Sequence, residues 1–143
     1  MRRTSLIALP IVAAIAGLAW YLTHPQPPAT APQPQAGAPL VAVTIPETLP
    51  ANAQIGQRIF DSACATCHGQ NAAGRDGFGP PLVHRIYEPG HHGDEAFQRA
   101  AAQGVQSHHW PFGNMPPVPG LTRGDVAMVV AYVRALQQAN GIR

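Results

Sequence analysis

Two thiols three positions apart, with an imidazole directly after the second, form the most reactive stretch of this 143-residue chain: Cys64-Ala65-Thr66-Cys67-His68. Paired thiols serve several chemistries. In an exported protein they can close a disulfide, and in a βαβ setting they can shuttle between thiol and disulfide. A structural zinc ion takes four ligands, and with only two cysteines in the chain the soft donors run out. The adjoining histidine separates these readings, because Cys-x-x-Cys-His is the attachment signature of c-type haem. Thiols at this spacing on a helix end can add to the two vinyl groups along one porphyrin edge, and the imidazole then lies under the iron as its axial ligand. Covalent attachment lets a small domain keep the group through both redox states. No βαβ pattern surrounds the motif, so a thiol shuttle is the minor alternative.

The elements that must position this motif are helical. Gly56, Phe60 and Cys64 stand at four-residue steps, one face of a helix that ends at the thiols. Val126, Val129, Val130, Val133 and Leu136 mark an amphipathic helix over Thr122 to Gln138, and Thr122 three residues before Asp125 is a fitting N-terminal cap. A further helix is predicted for Asp94 to Val105: Asp94-Glu95 open it, Phe97, Ala100 and Ala101 share a face, and Gly104 ends it. No stretch alternates as a strand. The expected fold class is therefore all-α, three or more helices wrapped around one covalent haem, over residues 47–143.

On these residues the chain resembles the class I (mono-haem) cytochrome c family, over nearly all of 47–143 and none of the leader. The resemblance implies that the first helix crosses the C-terminal helix closely at Gly56, where the missing Cβ permits contact. Val129 and Tyr132 fall on the family's apolar and aromatic packing positions. Gly79-Pro80-Pro81-Leu82 is similar to the family's Gly-Pro-x-Leu segment, which implies that the Pro80 carbonyl accepts a hydrogen bond from His68 and orients the ring. Phe112-Gly113-Asn114-Met115-Pro116-Pro117 is similar to the family's Met-Pro axial segment. Of the three methionines, Met1 belongs to the leader and Met128 packs within the apolar helix, so Met115 is the expected sixth ligand. Trp110 and Phe112 are expected to wall the haem pocket, with the Trp110 indole N–H, Arg75 and Arg85 as candidate contacts to a propionate.

A haem with protein ligands on both sides transfers electrons, whereas an open sixth position binds gases or peroxide. With His68 and Met115 as the metal ligands and Cys64, Cys67, Pro80 and Trp110 completing the cofactor site, the expected function is that of a single-electron carrier in an exported respiratory or redox chain of bacterial type. It is not expected to be an enzyme, and its partners are a redox donor and a redox acceptor. The alternatives are a fixed haem c subunit of a membrane oxidoreductase, and a haem-based sensor or peroxidase. Net charge is +2 with no lysine, and from Glu47 onward seven arginines balance seven acids. Such a chain lacks the basic patch of a nucleic-acid binder.

Five further histidines, His84, His91, His92, His108 and His109, are a heavy load for one small domain. They admit a second site for copper or zinc, replacement of Met115 by His108 or His109 as axial ligand, or plain loop histidines that touch a propionate or a partner.

The chain opens with Met1-Arg2-Arg3 and runs without charge until Glu47. Residues 1–23 read as an export signal. Leu6 to Leu22 spans about 26 Å as a helix, close to the ~30 Å hydrocarbon layer. The reading adopted is an anchor that holds the domain on the periplasmic side of the inner membrane. Cleavage after Ala14-Ile15-Ala16, leaving a soluble periplasmic protein, is the alternative. Residues 24–46, rich in Pro, Ala and Gln, are expected to form an extended tether.

Overall fold

The computed structural model describes residues 5–24 and 35–143, with side chains in the first stretch from residue 14 onward. The chain divides into two units, Met1–Gln33 and Pro34–Arg143. The first carries helix α1, Ser5–Thr23. Among the described residues no helix is long and apolar enough to cross a membrane.

The second unit is built from α2 (Ala51–Ala63), the single turn α3 (Ala65–His68), α4 (Asp94–Gln103) and α5 (Arg123–Ala139), with 3-10 turns at Gln70–Ala72 and Arg85–Tyr87. Among the described residues there is no strand, only isolated bridges between Arg75 and Gly79 and between Val105 and Met115. The all-α expectation for this unit therefore describes it.

Helix α2 buries Ala53, Gly56 and Phe60, the face on which its apolar spacing places them. It packs on α5, whose buried residues include Val126, Val129, Tyr132, Val133 and Leu136. Two aromatics, Phe60 and Tyr132, meet across the crossing with ring centres 5.6 Å apart. The crossing is close because Gly56 has no side chain: a Cβ there would lie 1.8 Å from the Met128 carbonyl oxygen.

A reciprocal capping box opens α5 one residue later than the predicted start. Asp125 N–H donates to the Thr122 hydroxyl at 3.2 Å, and Thr122 N–H donates to the Asp125 carboxylate at 2.9 Å. The Thr122 hydroxyl also donates to that carboxylate at 2.6 Å. These contacts hold the Asp125 pKa below its ordinary value, the side-chain bond contributing most. Thr122→Ala should cost roughly 1 kcal/mol, a fall in Tm of about 5 °C for a domain of this size. A group whose pKa is lower folded than unfolded stabilises above its unfolded value, near pH 4, and loses that contribution as pH falls through the folded value. Thermal melts across pH should therefore show the gap between parent and Thr122→Ala closing in acid.

Helix α4 ends at Gln103, two residues before its predicted end, because Gly104 turns the chain left-handed at φ 76°. Val105 then leaves the helix and pairs with Met115.

The tether expected for residues 24–46 needs a correction over its second half; residues 25–34 lie outside the described residues. Gly37 N–H donates to the Asp76 carbonyl at 2.8 Å, and Asp76 N–H returns a bond to the Ala38 carbonyl at 2.9 Å. Leu40 and Val41 N–H groups both reach the Ala73 carbonyl, and Asn140 brackets Thr44 through its N–H and C=O. Much of the backbone of 37–44 is thus paired with the folded unit, and Val43 packs against its core.

Candidate functional site

Cys64 caps α2 and starts the turn α3, so Cys67 and His68 follow it together in that single turn. Both cysteines are unpaired with each other, Cys64 half-buried and Cys67 exposed. Burial, and secondarily the neighbouring Cys67, pushes the Cys64 thiol up to about 11. A thiol shuttle requires the opposite, a nucleophile whose pKa is lowered toward neutrality.

After His68 the backbone reverses. Gly69 turns at φ 72°, and Asn71 and Ala72 follow in the left-handed region at φ 54° and 58°. Gly74 N–H closes the loop on the His68 carbonyl at 2.7 Å, and Leu82 N–H reaches the Ala72 carbonyl at 2.9 Å. Asn71 is steadied by α5, its side-chain oxygen accepting from the Tyr132 hydroxyl at 3.2 Å. This reversal lays Gly79-Pro80-Pro81 against α3, so tightly that a Cβ on Gly79 would sit 2.7 Å from the Cys67 carbonyl oxygen.

The consequence for His68 is specific. Its Nδ1 lies 2.9 Å from the Pro80 carbonyl oxygen. An acceptor there places the ring proton on Nδ1 and leaves the Nε2 lone pair for a metal. Burial lowers the His68 pKa, partly offset by that hydrogen bond, so the neutral ring is favoured.

Met115 is held by backbone. Its N–H and C=O pair with Val105 at 2.9 Å each, Val118 N–H donates to the Ala101 carbonyl at 2.8 Å, and Asn114 accepts from Ser107 N–H at 2.9 Å. The approach to α4 depends on Gly104, where a Cβ would lie 2.5 Å from the Met115 carbonyl oxygen. Trp110 lies in the same loop, edge-on to His84 with centres 5.2 Å apart and stacked on Phe112 at 6.0 Å. His84 follows Pro80 by four residues, so this contact joins the segment behind His68 to the loop that carries Met115. Arg75 is engaged elsewhere: it donates to the Thr66 carbonyl at 2.7 Å and lies 3.9 Å over the Phe78 ring.

Two observations test whether these residues fit a haem. The Trp110 indole Nε1 is buried and approaches the Tyr87 hydroxyl closely enough to offset, as a hydrogen-bonding neighbour, part of the rise that burial gives its pKa, but among the described residues no acceptor meets the indole in full hydrogen-bonding geometry. Buried donors are nearly always satisfied, and a propionate oxygen is an acceptor that would fit this one. Second, every buried hydrophobic residue lies at or before Val83, or at or after Val126. The forty-odd residues between, including α4 and the Met115 loop, have no core of their own. A flat apolar group laid over His68 would supply one. The donor set and the packing both fit.

Sequence reasoning missed the frame around the site. Arg134 of α5 donates to the Tyr87 and His92 carbonyls at 2.6 and 2.7 Å and pairs with Asp94 at 2.9 Å. Gln137, buried beside it, donates to the Leu82 and Tyr87 carbonyls at 2.8 and 3.0 Å. Together they tie the chain after Pro80 to the C-terminal helix. The available signal was an arginine and a glutamine three apart beside the apolar stripe of α5.

Taken together, an all-α fold with a thiol pair, an oriented imidazole and a buried indole donor describes a domain that carries a covalently bound planar redox group. The family model for cytochrome c matches residues 53–137, more than half of the chain, and the chain belongs to the cytochrome c family. No curated protein and no solved structure matches it. Its cofactor is haem c, attached through Cys64 and Cys67, and its work is electron transfer with other redox proteins.

Proposed function

We propose that this chain is a single-electron carrier in which His68 and Met115 are the two axial ligands, working in an exported redox chain. The observation that carries the reading is the fixed backbone of Met115, paired with Val105 through both its N–H and its C=O. A thioether is a weak ligand, and a loop already ordered by hydrogen bonds and flanking prolines loses little entropy in holding one. When bound, haem c supplies a one-electron ferric/ferrous couple.

The protein's own residues do the rest. Pro80 orients His68 and keeps its proton on Nδ1, so the ring offers iron the same lone pair in both oxidation states. Trp110 offers its indole N–H to a propionate. With haem bound, Met115 would close the sixth position to water and gases, and its soft sulfur would favour the reduced iron relative to a second imidazole.

Export rests on the leader sequence: a basic start followed by an uncharged stretch, carried by α1. We place the domain on the periplasmic side, either anchored or released by cleavage, and N-terminal sequencing of the mature protein distinguishes the two.

Optical spectra of the haem-loaded protein with and without carbon monoxide, beside Met115→Ala, test the ligation. The oxidised parent should show the sulfur-to-iron charge-transfer band and bind the gas poorly. Met115→Ala should lose the band and bind the gas at once. A parent that binds carbon monoxide as readily as the variant would make the chain a sensor or an enzyme instead.

A further inference from the structure

The electron-transfer reading uses one of the histidines of the domain. Four others meet on its surface. His91 and His92 close the turn after the Arg85–Tyr87 3-10 segment, and His108 and His109 follow α4, so the helix returns the second pair beside the first. Ring centres are 4.7 Å apart for His91 and His92, and 5.4 Å for each of these with His109.

We propose that His91, His92 and His109 form a second metal site, separate from the haem ligands, for one divalent cation of the copper(II) or zinc(II) type. One ring nitrogen from each lies within 4.8 Å of the others. Three imidazoles plus a water make the four-coordinate nitrogen-rich set these ions prefer, copper more tightly than zinc. Bonds of about 2.0–2.1 Å bring tetrahedral ligand atoms to roughly 3.4 Å from one another. His91 and His109 are both exposed, so their rings are free to swing the remaining distance.

The least exposed of the three is also the best prepared. His92 Nδ1 lies 2.6 Å from the Ile86 carbonyl oxygen, which sets the tautomer and leaves Nε2 for a metal. The His92 backbone is fixed too, its N–H donating to the Glu88 carbonyl at 2.8 Å and its C=O accepting from Arg134 at 2.7 Å. A metal-binding histidine with a carbonyl behind its other nitrogen is the arrangement that orients the ring and raises its basicity. The rings of His91 and His109, by contrast, make no hydrogen bond within the described residues, so both are available.

His108 lies against His109, with ring centres 4.3 Å apart, but it is not one of the three histidines whose nitrogens converge. Its ring is 6.1 Å from His92, and its Nδ1 lies 2.7 Å from the Gln106 carbonyl oxygen. An ion held by the other three would fasten the loop that leads to Met115 to the turn that Arg134 holds.

The test uses the full-length, haem-loaded protein, in which Cys64 and Cys67 are consumed as thioethers and cannot compete. Zinc is titrated calorimetrically, and one equivalent of copper(II) is followed by its paramagnetic resonance, distinct from that of haem iron. One zinc per chain should bind, and the copper spectrum should show nitrogen couplings. His91→Ala and His109→Ala should each weaken zinc binding by about 100-fold or more, at least what losing an outer hydrogen-bond partner costs. His108→Ala should change it by less than about tenfold, and an unchanged haem spectrum certifies the fold of every variant. Absence of stoichiometric binding overturns the proposal. So does binding that survives His91→Ala and His109→Ala, or that falls equally with His108→Ala.

Discussion

Gly56→Ala is expected to destabilise the haem domain severely, lowering its melting temperature by more than about 10 °C. The added methyl would lie 1.8 Å from the Met128 carbonyl oxygen, 2.4 Å from its carbon and 2.9 Å from the Val129 nitrogen. All three are backbone atoms inside α5, so no side-chain rotation relieves the clash and the two helices must separate. Separation would undo the Phe60–Tyr132 contact and expose the shared core of Ala53, Val129 and Val133. A penalty on the order of 4 kcal/mol follows, against a total stability of about 5–15 kcal/mol for a domain. Circular dichroism melts check it, with Gly124→Ala as the control. Position 124 lies in the first turn of α5, where a Cβ meets nothing closer than the Thr122 hydroxyl at 3.6 Å. The control should melt at or slightly above the parent temperature, since alanine favours helix by up to about 1 kcal/mol. If Gly56→Ala melts with the parent, the crossing is not the closest constraint in the fold.

The second large effect is expected from the paired substitution Cys64→Ala with Cys67→Ala. Haem that survives denaturing electrophoresis should vanish entirely, because no other thiol exists in the chain. The structural effect should be uneven. Helices α2 and α5 share a buried protein core, whereas α4 and the Met115 loop have no fully buried hydrophobic residue, Phe97 alone of α4 packing partly buried against that core. Limited proteolysis of the double variant should therefore cut first between Val83 and Val126, while the α2 and α5 fragments persist. Cleavage spread evenly along the domain would mean that the protein core alone orders the segment, and that the haem's packing role is small.

Much of this was legible before any coordinates. The haem motif is local: five consecutive residues specify two bonds and a ligand type. Helices α2 and α5 were legible because their apolar residues repeat at the helical period, and the Thr122–Asp125 cap because it acts across three positions. The paired Gly56 and Phe60 also survived translation into structure, since a close helix crossing needs a small residue one turn from a large one. The end of α4 was misjudged by two residues. Gly104 reads as the stop and is the C-cap, but Val105, included in the predicted range, pairs with Met115 ten positions onward.

What the sequence could not disclose is the set of contacts that join distant segments. Residues 37–44 look like more of the proline-rich tether, yet they pair with Ala73, Asp76 and Asn140. Arg134 and Gln137 look like the polar flank of α5, yet they hold the carbonyls behind the haem motif and His92. The histidine pairs are adjacent in sequence but become a trio with converging nitrogens only when α4 folds the second pair back onto the first. Local chemistry, the thiols, the imidazole and the helical period, is written in neighbouring residues because it acts over one or two turns. How the Pro80 carbonyl is brought against His68, what holds Met115 in place, and which imidazoles can share one ion depend on chain reversals at Gly69, Asn71 and Gly104. Those distances exist only once the hydrophobic crossing of α2 and α5 has set where each segment must lie.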